Sequence, residues 1–381
     1  MKALVIGAGM MGSALAYDLA HSDDVAKVYL ADIDFDRAES AAKNIGTNVV
    51  PVKLDVNSHD DVVYVMEQVD VVCGATSYNH NLLLTKAAIE TGKHFCDLGG
   101  NMDVVYKQME LNEKAKAANV LIIPNCGLAP GLAAILGAGG AKYFDVVDEI
   151  HLRVGGLPQH PVPPLNYQIV FSVEGLINEY IEPAEVIRNG EVKQVPSMDD
   201  LEELDFPSPF GKVEAFNTSG GVSTLTKMFN GKVKALDYKT IRYKGHCDKF
   251  KTLLDLGFAS SEPLMVGNSV KTARELFQEL LKKKLPSSGH DLILMRVWIQ
   301  GTKNKEQRTL IYEMIDYFDE KTKISSMMRT TSFPTSIIAQ MVVNSTIKER
   351  GVLPPEHCVP VTPLINELKK RNIIIKESFS G

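Results

Sequence analysis

A chain of 381 residues, 45% hydrophobic and 23% charged, has the material for two domains, each with a core of its own. Its 41 basic and 47 acidic residues give a formal net charge of −6, and no Lys/Arg run goes beyond the length of Lys282–Lys284, which argues against nucleic acid as a partner. The five cysteines are too few and too scattered for a disulfide framework and form no C-x-x-C pair, so a metal is not expected and a reducing, cytoplasmic setting is.

The opening "ALVIGAG" already reads as a strand, which leaves no room ahead of it for a signal peptide, and no apolar run approaches a membrane span. Strands are predicted at Ala3–Ile6, Val28–Ala31, Val49–Leu54, Val69–Gly74, His94–Asp97 and Val120–Pro124. Helices are predicted between them at Met11–His21, Phe35–Asn44, His59–Gln68, Asn81–Thr91 and Val104–Ala118. This alternation predicts an α/β, doubly wound parallel sheet of the Rossmann kind over residues 1–126.

Past Asn125 the strands lengthen and become aromatic. "EIHLRVGGLP", "LNYQIVFS", "KTIRYKGH", "DLILMRVWIQG", "TLIYEMIDYF" and "ISSMMRTTSF" predict a mixed or antiparallel sheet in a second, inserted domain over 127–330. The boundary is placed at "PNCGLAPG", where Gly127 and Pro130 punctuate the chain. "SFPTSIIAQMVVNSTIKERGVLPPE" reads as a long helix with a Gly-Pro stop, and residues 331–381 are expected to pack back on the first domain.

Gly7, Gly9 and Gly12 follow the first strand in G-x-G-x-x-G spacing, with Met10 and Met11 opening a helix whose N–H groups and positive end suit a pyrophosphate. Asp32, 20 residues after Gly12, ends the second strand where a carboxylate accepts from an adenosine ribose and repels a 2′-phosphate. Ile33 follows it, and Arg37 lies about a turn into the next helix. These features favour NAD over NADP. Asp55 and Val56 either border the adenine or, for Asp55, form a solvated turn.

The nicotinamide is expected beyond the later strands, at "GATSYNHN" with Ala75, Thr76, Ser77 and Asn79, at "CDLGGN" with Asp97, Leu98 and Gly99, and at Asn125–Cys126. Helix capping accounts for Thr76, Ser77 and Asn79 equally well. Cys126 reads as a small buried residue rather than a nucleophile.

The combination of "VIGAGMMG", "CDLGGN", "NCGLAPGLA", "VGGLPQHPVPPLNYQIVFSVEGLINEYIEPAEVIRNGEV", "EAFNTSGGVSTL", "YKTIRYKGHCDKFKTLLDLGF" and "RGVLPPEHCVP" resembles the saccharopine dehydrogenase-like superfamily over essentially the whole chain. Within it the resemblance is closest to the L-lysine 6-dehydrogenases. It implies a Rossmann domain built from both chain ends, an inserted substrate domain, homodimers, and NAD-dependent oxidation of the lysine ε-amine to 2-aminoadipate 6-semialdehyde and ammonia. Ala129 stands where saccharopine-forming relatives have an acidic residue in "GLDPG", which favours the lysine branch.

Oxidising a primary amine requires a neutral nitrogen, whereas a free lysine ε-amine has a pKa of about 10.4, so a base must take its proton and later activate water. Asp97, Glu174 and His246 are the candidates. His246 equally fits a helix cap, and Glu174 a carboxylate at a helix start. An α-carboxylate calls for a guanidinium, for which Arg242 is the first choice and Arg153 the second. Tyr243 and Lys244 adjoin Arg242, strand alternation sets Tyr243 on the opposite face from Arg242 and Lys244, and a solvated face is the alternative for the cluster. Gly155 and Gly156 are expected to shape a loop over the substrate. A saccharopine-type enzyme, acting on a secondary amine, would need a second cationic anchor, and Lys244 or Arg153 is available for it. A non-catalytic NAD-binding module is the third reading.

Overall fold

Lys2–Ile6 (β1) is apolar on both sides, with Ala3, Leu4, Val5 and Ile6 at 1% exposure or less, the pattern of a parallel strand covered on both faces. The computed structural model describes residues 1–267, 269–287 and 289–380. They divide into two units, the first comprising Met1–Tyr143, Ser223–Leu225 and Met328–Ile374, and the second Phe144–Val222, Thr226–Met327 and Ile375–Gly381.

In the first unit β1 is followed by α1 (Met10–Ala20), β2 (Lys27–Asp32), α2 (Phe35–Ile45), β3 (Val49–Lys53), α3 (His59–Glu67), β4 (Val71–Gly74), α4 (Asn81–Glu90), β5 (His94–Asp97), α5 (Met102–Met109), α6 (Asn112–Ala117), β6 (Leu121–Ile123) and α7 (Leu132–Ala141). The sheet order is Gly351–Val352, β6, β5, β4, β1, β2, β3, with every pair parallel. The order reverses beside β1, which is the switch point where open α/β sheets bind ligands. Leu4, Val72, Phe95 and Ile122 from the strands meet Val62, Met66 and Leu84 from the helices in one core.

Two predicted helices are revised. Val104–Ala118 is two helices, because the chain leaves the α-helical path at Leu111, whose N–H bonds the Gln108 carbonyl three residues back. The long C-terminal helix ends at Val343, well before Gly351: the Asn344 side chain accepts from Thr346 N and Oγ1, and Ser345 adopts a positive φ of 62°. Gly351 instead begins the sheet's outer strand.

The second unit contains β7 (Val146–Pro158), α8 (Val173–Ile181), β8 (Ala184–Arg188), β9 (Glu191–Val195), β10 (Glu202–Phe206), β11 (Gly211–Asn217), β12 (Ala235–Tyr243), β13 (Pro263–Val266), β14 (Ser269–Thr272), β15 (Asp291–Lys303) and β16 (Glu306–Tyr317). The main sheet runs β10, β11, β12, β7, β15, β16 and then Ile375–Ser380, with β8 and β9 attached to β12. It is mixed, since β12 and β7 are parallel and their outer neighbours antiparallel. The units divide at Tyr143/Phe144 rather than at residue 126, because α7 belongs with the first unit, and Ile375–Ser380 returns to the second unit through pairing with β16.

Two segments predicted as strands are not strands. "LNYQIVFS" is an irregular run whose Leu165, Tyr167 and Val170 are buried, tied down by Ile169 N–H to the Pro286 carbonyl. "ISSMMRTTSF" enters a helix at Ser326, because the fully buried Asp291 accepts from the backbone N–H groups of Ser326 (2.7 Å) and Met327 (2.8 Å) and caps that first turn from a neighbouring strand. Asp291→Ala leaves both N–H groups without their acceptor, and an unfolding free energy lower by about 2 kcal/mol is expected in denaturant titration; an unchanged midpoint would refute the capping role. Among the described residues no helix is long and apolar enough to cross a membrane.

Candidate active site

The three fingerprint glycines do three different things. Gly7 takes a φ of +104°, and a Cβ there would lie 2.6 Å from the Ala75 carbonyl oxygen. A Cβ on Gly12 would fall 1.7 Å from the Gly7 oxygen, so Gly12 lets α1 pack onto the β1 turn. A Cβ on Gly9 would meet nothing within 4 Å, which leaves open space at the N-terminus of α1, where Gly9 supplies no side-chain cap. Open space beside uncapped N–H groups fits a dinucleotide pyrophosphate.

Asp32 is pinned. Its Oδ2 accepts from Ala8 N (2.7 Å) and its Oδ1 from Asp34 N (2.9 Å) at 8% exposure, while the Arg37 Nη1 lies 3.8 Å from Oδ2. Ile33 and Met10 are exposed beside this turn. Val56 enters the core, whereas Asp55 is exposed and accepts from Asn57 N and Nδ2, so its observed bonds are those of a turn. Ala75 N–H bonds the Ile6 carbonyl, Thr76 Oγ1 reaches the Ser77 carbonyl, and Asn79 Nδ2 reaches Ser77 Oγ, with Ser77 and Asn79 exposed. Met11 offers its carbonyl to Ser332 Oγ.

Asp97 departs from its expected role as base. It has no solvent exposure and accepts from Gly99 N (2.7 Å), Asn125 N (3.3 Å) and Gln108 Nε2 (2.8 Å), so it binds together the two loops after β5 and β6. Burial raises its carboxyl to about 6 against those three donors. Leu98 and Gly99 follow it, and Gly99 (φ +75°) brings its backbone so close to Asn125 that a Cβ would lie 1.9 Å from Asn125 Oδ1. Asn125 itself has a φ of +63° and donates Nδ2 to Ser223 Oγ, 3.2 Å away. Cys126 is buried, its thiol pushed well above the usual range by burial, which fits a packing residue.

In the second unit, alternation along β12 separates two populations. Asp237 and Lys239 pair in register with His151 and Arg153 of β7 on one face. There Arg153 Nη1 lies 2.7 Å from Asp237 Oδ1 and its Nε bonds Glu202, Arg188 and His151 also hold Asp237, and Lys239 reaches Glu202 and Asp200. The Arg153 charge is therefore met by two carboxylates, and it is not a free carboxylate anchor. Tyr238, Thr240 and Arg242 occupy the other face.

Arg242 is 3% exposed, yet among the described residues it has no carboxylate within salt-bridge distance. Its Nε donates to Tyr180 Oη (2.8 Å), its Nη1 to the Ile241 carbonyl (2.8 Å), and its guanidinium carbon lies 4.9 Å from the centre of the Tyr167 ring. Burying a charge without a counter-charge costs several kcal/mol, and among the described residues Nη2 has no hydrogen-bond partner. Glu179, on α8 next to Tyr180, is the acid within electrostatic reach. It is partly exposed, and burial raises its carboxyl to about 7 against the pull of Arg242. Sequence reasoning passed over it. The available signal was that Val173, Leu176 and Tyr180 repeat at helical spacing, with Glu179 at the edge of that buried stripe.

The remaining sequence candidates take other places. Glu174 is exposed in the first turn of α8. His246 is 1% exposed and held near 3 by burial and the Arg242 charge, with both nitrogens bonded, so it is no base. Lys244 is exposed beyond β12 and paired with Glu203. Tyr243 is spent on the Pro158 carbonyl. Gly155 and Gly156 lie inside β7, where Cβ atoms would meet the Ile241 oxygen at 2.2 Å and Met327 Cε at 2.7 Å, so they serve close packing rather than a substrate loop.

For the nucleotide turn, Gly9→Ala is expected to leave the thermal midpoint unchanged while weakening NAD binding at least about tenfold in calorimetric titration, whereas Gly12→Ala lowers both. Unchanged NAD affinity in Gly9→Ala would remove the pyrophosphate from this turn.

Residues 127–374 match the family described as the saccharopine dehydrogenase C-terminal domain, and residues 3–123 match the saccharopine dehydrogenase NADP binding domain. The chain is 24% identical to the alpha-aminoadipic semialdehyde synthase of Arabidopsis thaliana over 88% of its own length but only 33% of that protein. It likewise spans about half, 47%, of the Mus musculus protein of that name. The carboxynorspermidine synthase of Vibrio cholerae is 25% identical over 94% of this chain and 93% of that one. The fold matches that of apo saccharopine dehydrogenase (L-Glu forming) from Saccharomyces cerevisiae with a TM-score of 0.80 at 19% identity over the full length of both chains.

Proposed function

This chain belongs to the saccharopine dehydrogenase family of oxidoreductases, and from that premise we propose that it oxidises the ε-amine of L-lysine with NAD, releasing ammonia and 2-aminoadipate 6-semialdehyde. The observation that carries the substrate class is the buried Arg242, which among the described residues has no carboxylate partner: it calls for a ligand that brings one. A secondary-amine substrate such as saccharopine has two further carboxylates to anchor, and the two cations that the sequence offered for them are already committed, Arg153 to Glu202 and Asp237, and Lys244 to Glu203.

The residues that would hold the dinucleotide are the Gly7–Gly12 turn, the first turn of α1 and Asp32, and a bound nicotinamide would supply the hydride acceptor. Asp32 supports NAD over NADP because two backbone N–H groups fix its carboxylate, so it has little freedom to swing from a 2′-phosphate. Arg37 is the opposing charge, and it is itself shared between Asp32 and Asp34. NADPH is expected to bind at least about tenfold more weakly than NADH by calorimetry, with the gap closing in Asp32→Ser; equal affinities in the unaltered chain would overturn the preference.

Glu179 is assigned the proton. As carboxylate it takes the ammonium proton that must leave before the carbon can lose hydride, gives that proton up to solvent, and as carboxylate again takes a proton from the water that attacks the resulting iminium. Asp97 is a positioning residue in this scheme. A group titrating near 7 is protonated and idle below that pH and available above it, so turnover rises on the alkaline side. Glu179→Gln is expected to lower kcat about a hundredfold and to remove the acid limb near pH 7; retention of that limb would move the base elsewhere.

Formation of NADH from NAD with L-lysine and with saccharopine, measured side by side, tests the function itself. Turnover of L-lysine supports it, turnover of saccharopine alone makes the chain a secondary-amine dehydrogenase, and NAD binding without turnover of either makes it a binding module. In Arg242→Ala the expected result is a KM for L-lysine raised about a hundredfold with kcat less affected.

A further inference from the structure

His246 takes no part in that proton chemistry, yet both its nitrogens are fixed. Its Nδ1 lies 2.9 Å from the Leu165 carbonyl, which can only accept, so Nδ1 carries the hydrogen and Nε2 is left as an acceptor. The Tyr180 hydroxyl, 3.1 Å away, therefore donates to Nε2, which turns its lone pairs to the Arg242 Nε–H at 2.8 Å. Phe216 and Phe250 flank the imidazole at 6.4 and 5.6 Å with interplanar angles of 6° and 25°, and Tyr167 lies 5.5 Å away. The ring is clamped in plane and in tautomer.

We propose that His246 is a positioning residue which, through the Tyr180 hydroxyl, fixes the edge of the Arg242 guanidinium offered to a substrate carboxylate. With Nε held by Tyr180 and one Nη1 hydrogen by the Ile241 carbonyl, the side-on edge is closed and the Nη2 end is presented. Without the acceptor at His246, the Tyr180 O–H is free to rotate, and the Nε contact loses its fixed direction. The inference rests on Arg242 being the carboxylate anchor. Burial and the neighbouring Arg242 charge keep His246 neutral, its pKa near 3, so the relay has one direction through the neutral and alkaline range.

Three substitutions separate this role from simple packing. His246→Phe keeps a flat ring between Phe216 and Phe250 but has no acceptor, His246→Gln sets an amide oxygen close to where Nε2 stood, and Tyr180→Phe removes only the hydroxyl. With the full chain, NAD and L-lysine, KM for L-lysine is expected to rise about tenfold in His246→Phe and in Tyr180→Phe, with kcat and the KM for NAD within about twofold of the unaltered chain. His246→Gln should recover most of that loss, and the double variant His246→Phe/Tyr180→Phe should be no worse than either single one. A normal KM in His246→Phe, or fully additive losses, would overturn the relay.

Failure of the anchor is distinguishable, since a normal KM in Arg242→Ala overturns the anchor and with it the relay, whereas a raised KM there with a normal one in His246→Phe overturns the relay alone. One arm needs no turnover: in the substrate-free chain carrying 15N-histidine, the resonance absent from His246→Phe should be that of a neutral Nδ1–H tautomer whose Nε2 shift moves in Tyr180→Phe. A protonated Nε2 would overturn the relay whatever substrate is turned over.

Discussion

A guanidinium withdrawn from water is stable only if something answers its charge, and in the second unit Arg242 is answered by π faces, one phenol oxygen, one carbonyl and an acid that is only half ionised near pH 7. Much of that unit's packing follows from holding this group in place. Tyr180 is buried because its hydroxyl must reach Nε; His246 is buried because it must accept from Tyr180; Phe216, Phe250 and Phe277 enclose the pair in one apolar cluster. Glu214 ties the start of the helix at His246 to β11, accepting from Gly245 N and Cys247 N, so the imidazole is set by backbone as well as by ring contacts.

The other face of β12 shows what a charge cluster looks like when it is complete. Asp237 is held well below the ordinary carboxylate range by His151 and Arg153, which outweigh its burial, and Arg153 and Lys239 each meet carboxylates. Among the described residues Asp237, His151, Arg153 and Lys239 on that face each have a partner of the opposite sign. The same strand thus separates a self-sufficient network from a cation left open, and only the second has chemistry to offer.

That contrast explains how far the sequence could be read. The β1 turn, Asp32 and the parallel sheet were legible because local rules set them: a glycine with positive φ, a helix start, a run of buried apolar residues. The sequence ranks Arg242 ahead of Arg153 without the observation that separates them, since both are arginines on apolar strands and what distinguishes them is the partners supplied to Arg153 by β10 and β12, far apart in sequence. Lys244 followed the alternation of Arg242, but the strand stops at Tyr243 and the alternation lapses with it. Gly155 and Gly156 look like a loop and are a site of close strand packing. Glu179 was missed because a glutamate near a helix end ordinarily faces water, and its importance comes from Arg242, 63 positions later in the chain. Asp97, a carboxylate at the end of a central strand, invites a catalytic reading, but its three donors give it the work of holding loops.

Everything proposed for the second unit depends on its open cation meeting a carboxylate. Lysinamide keeps both amines of L-lysine and lacks only that group, so comparing kcat/KM for the two with NAD, in the unaltered chain and in Arg242→Ala, isolates the interaction. The account predicts that the unaltered chain prefers L-lysine by about a hundredfold and that the preference collapses to near unity in Arg242→Ala. Equal kcat/KM for L-lysine and lysinamide in the unaltered chain would contradict it.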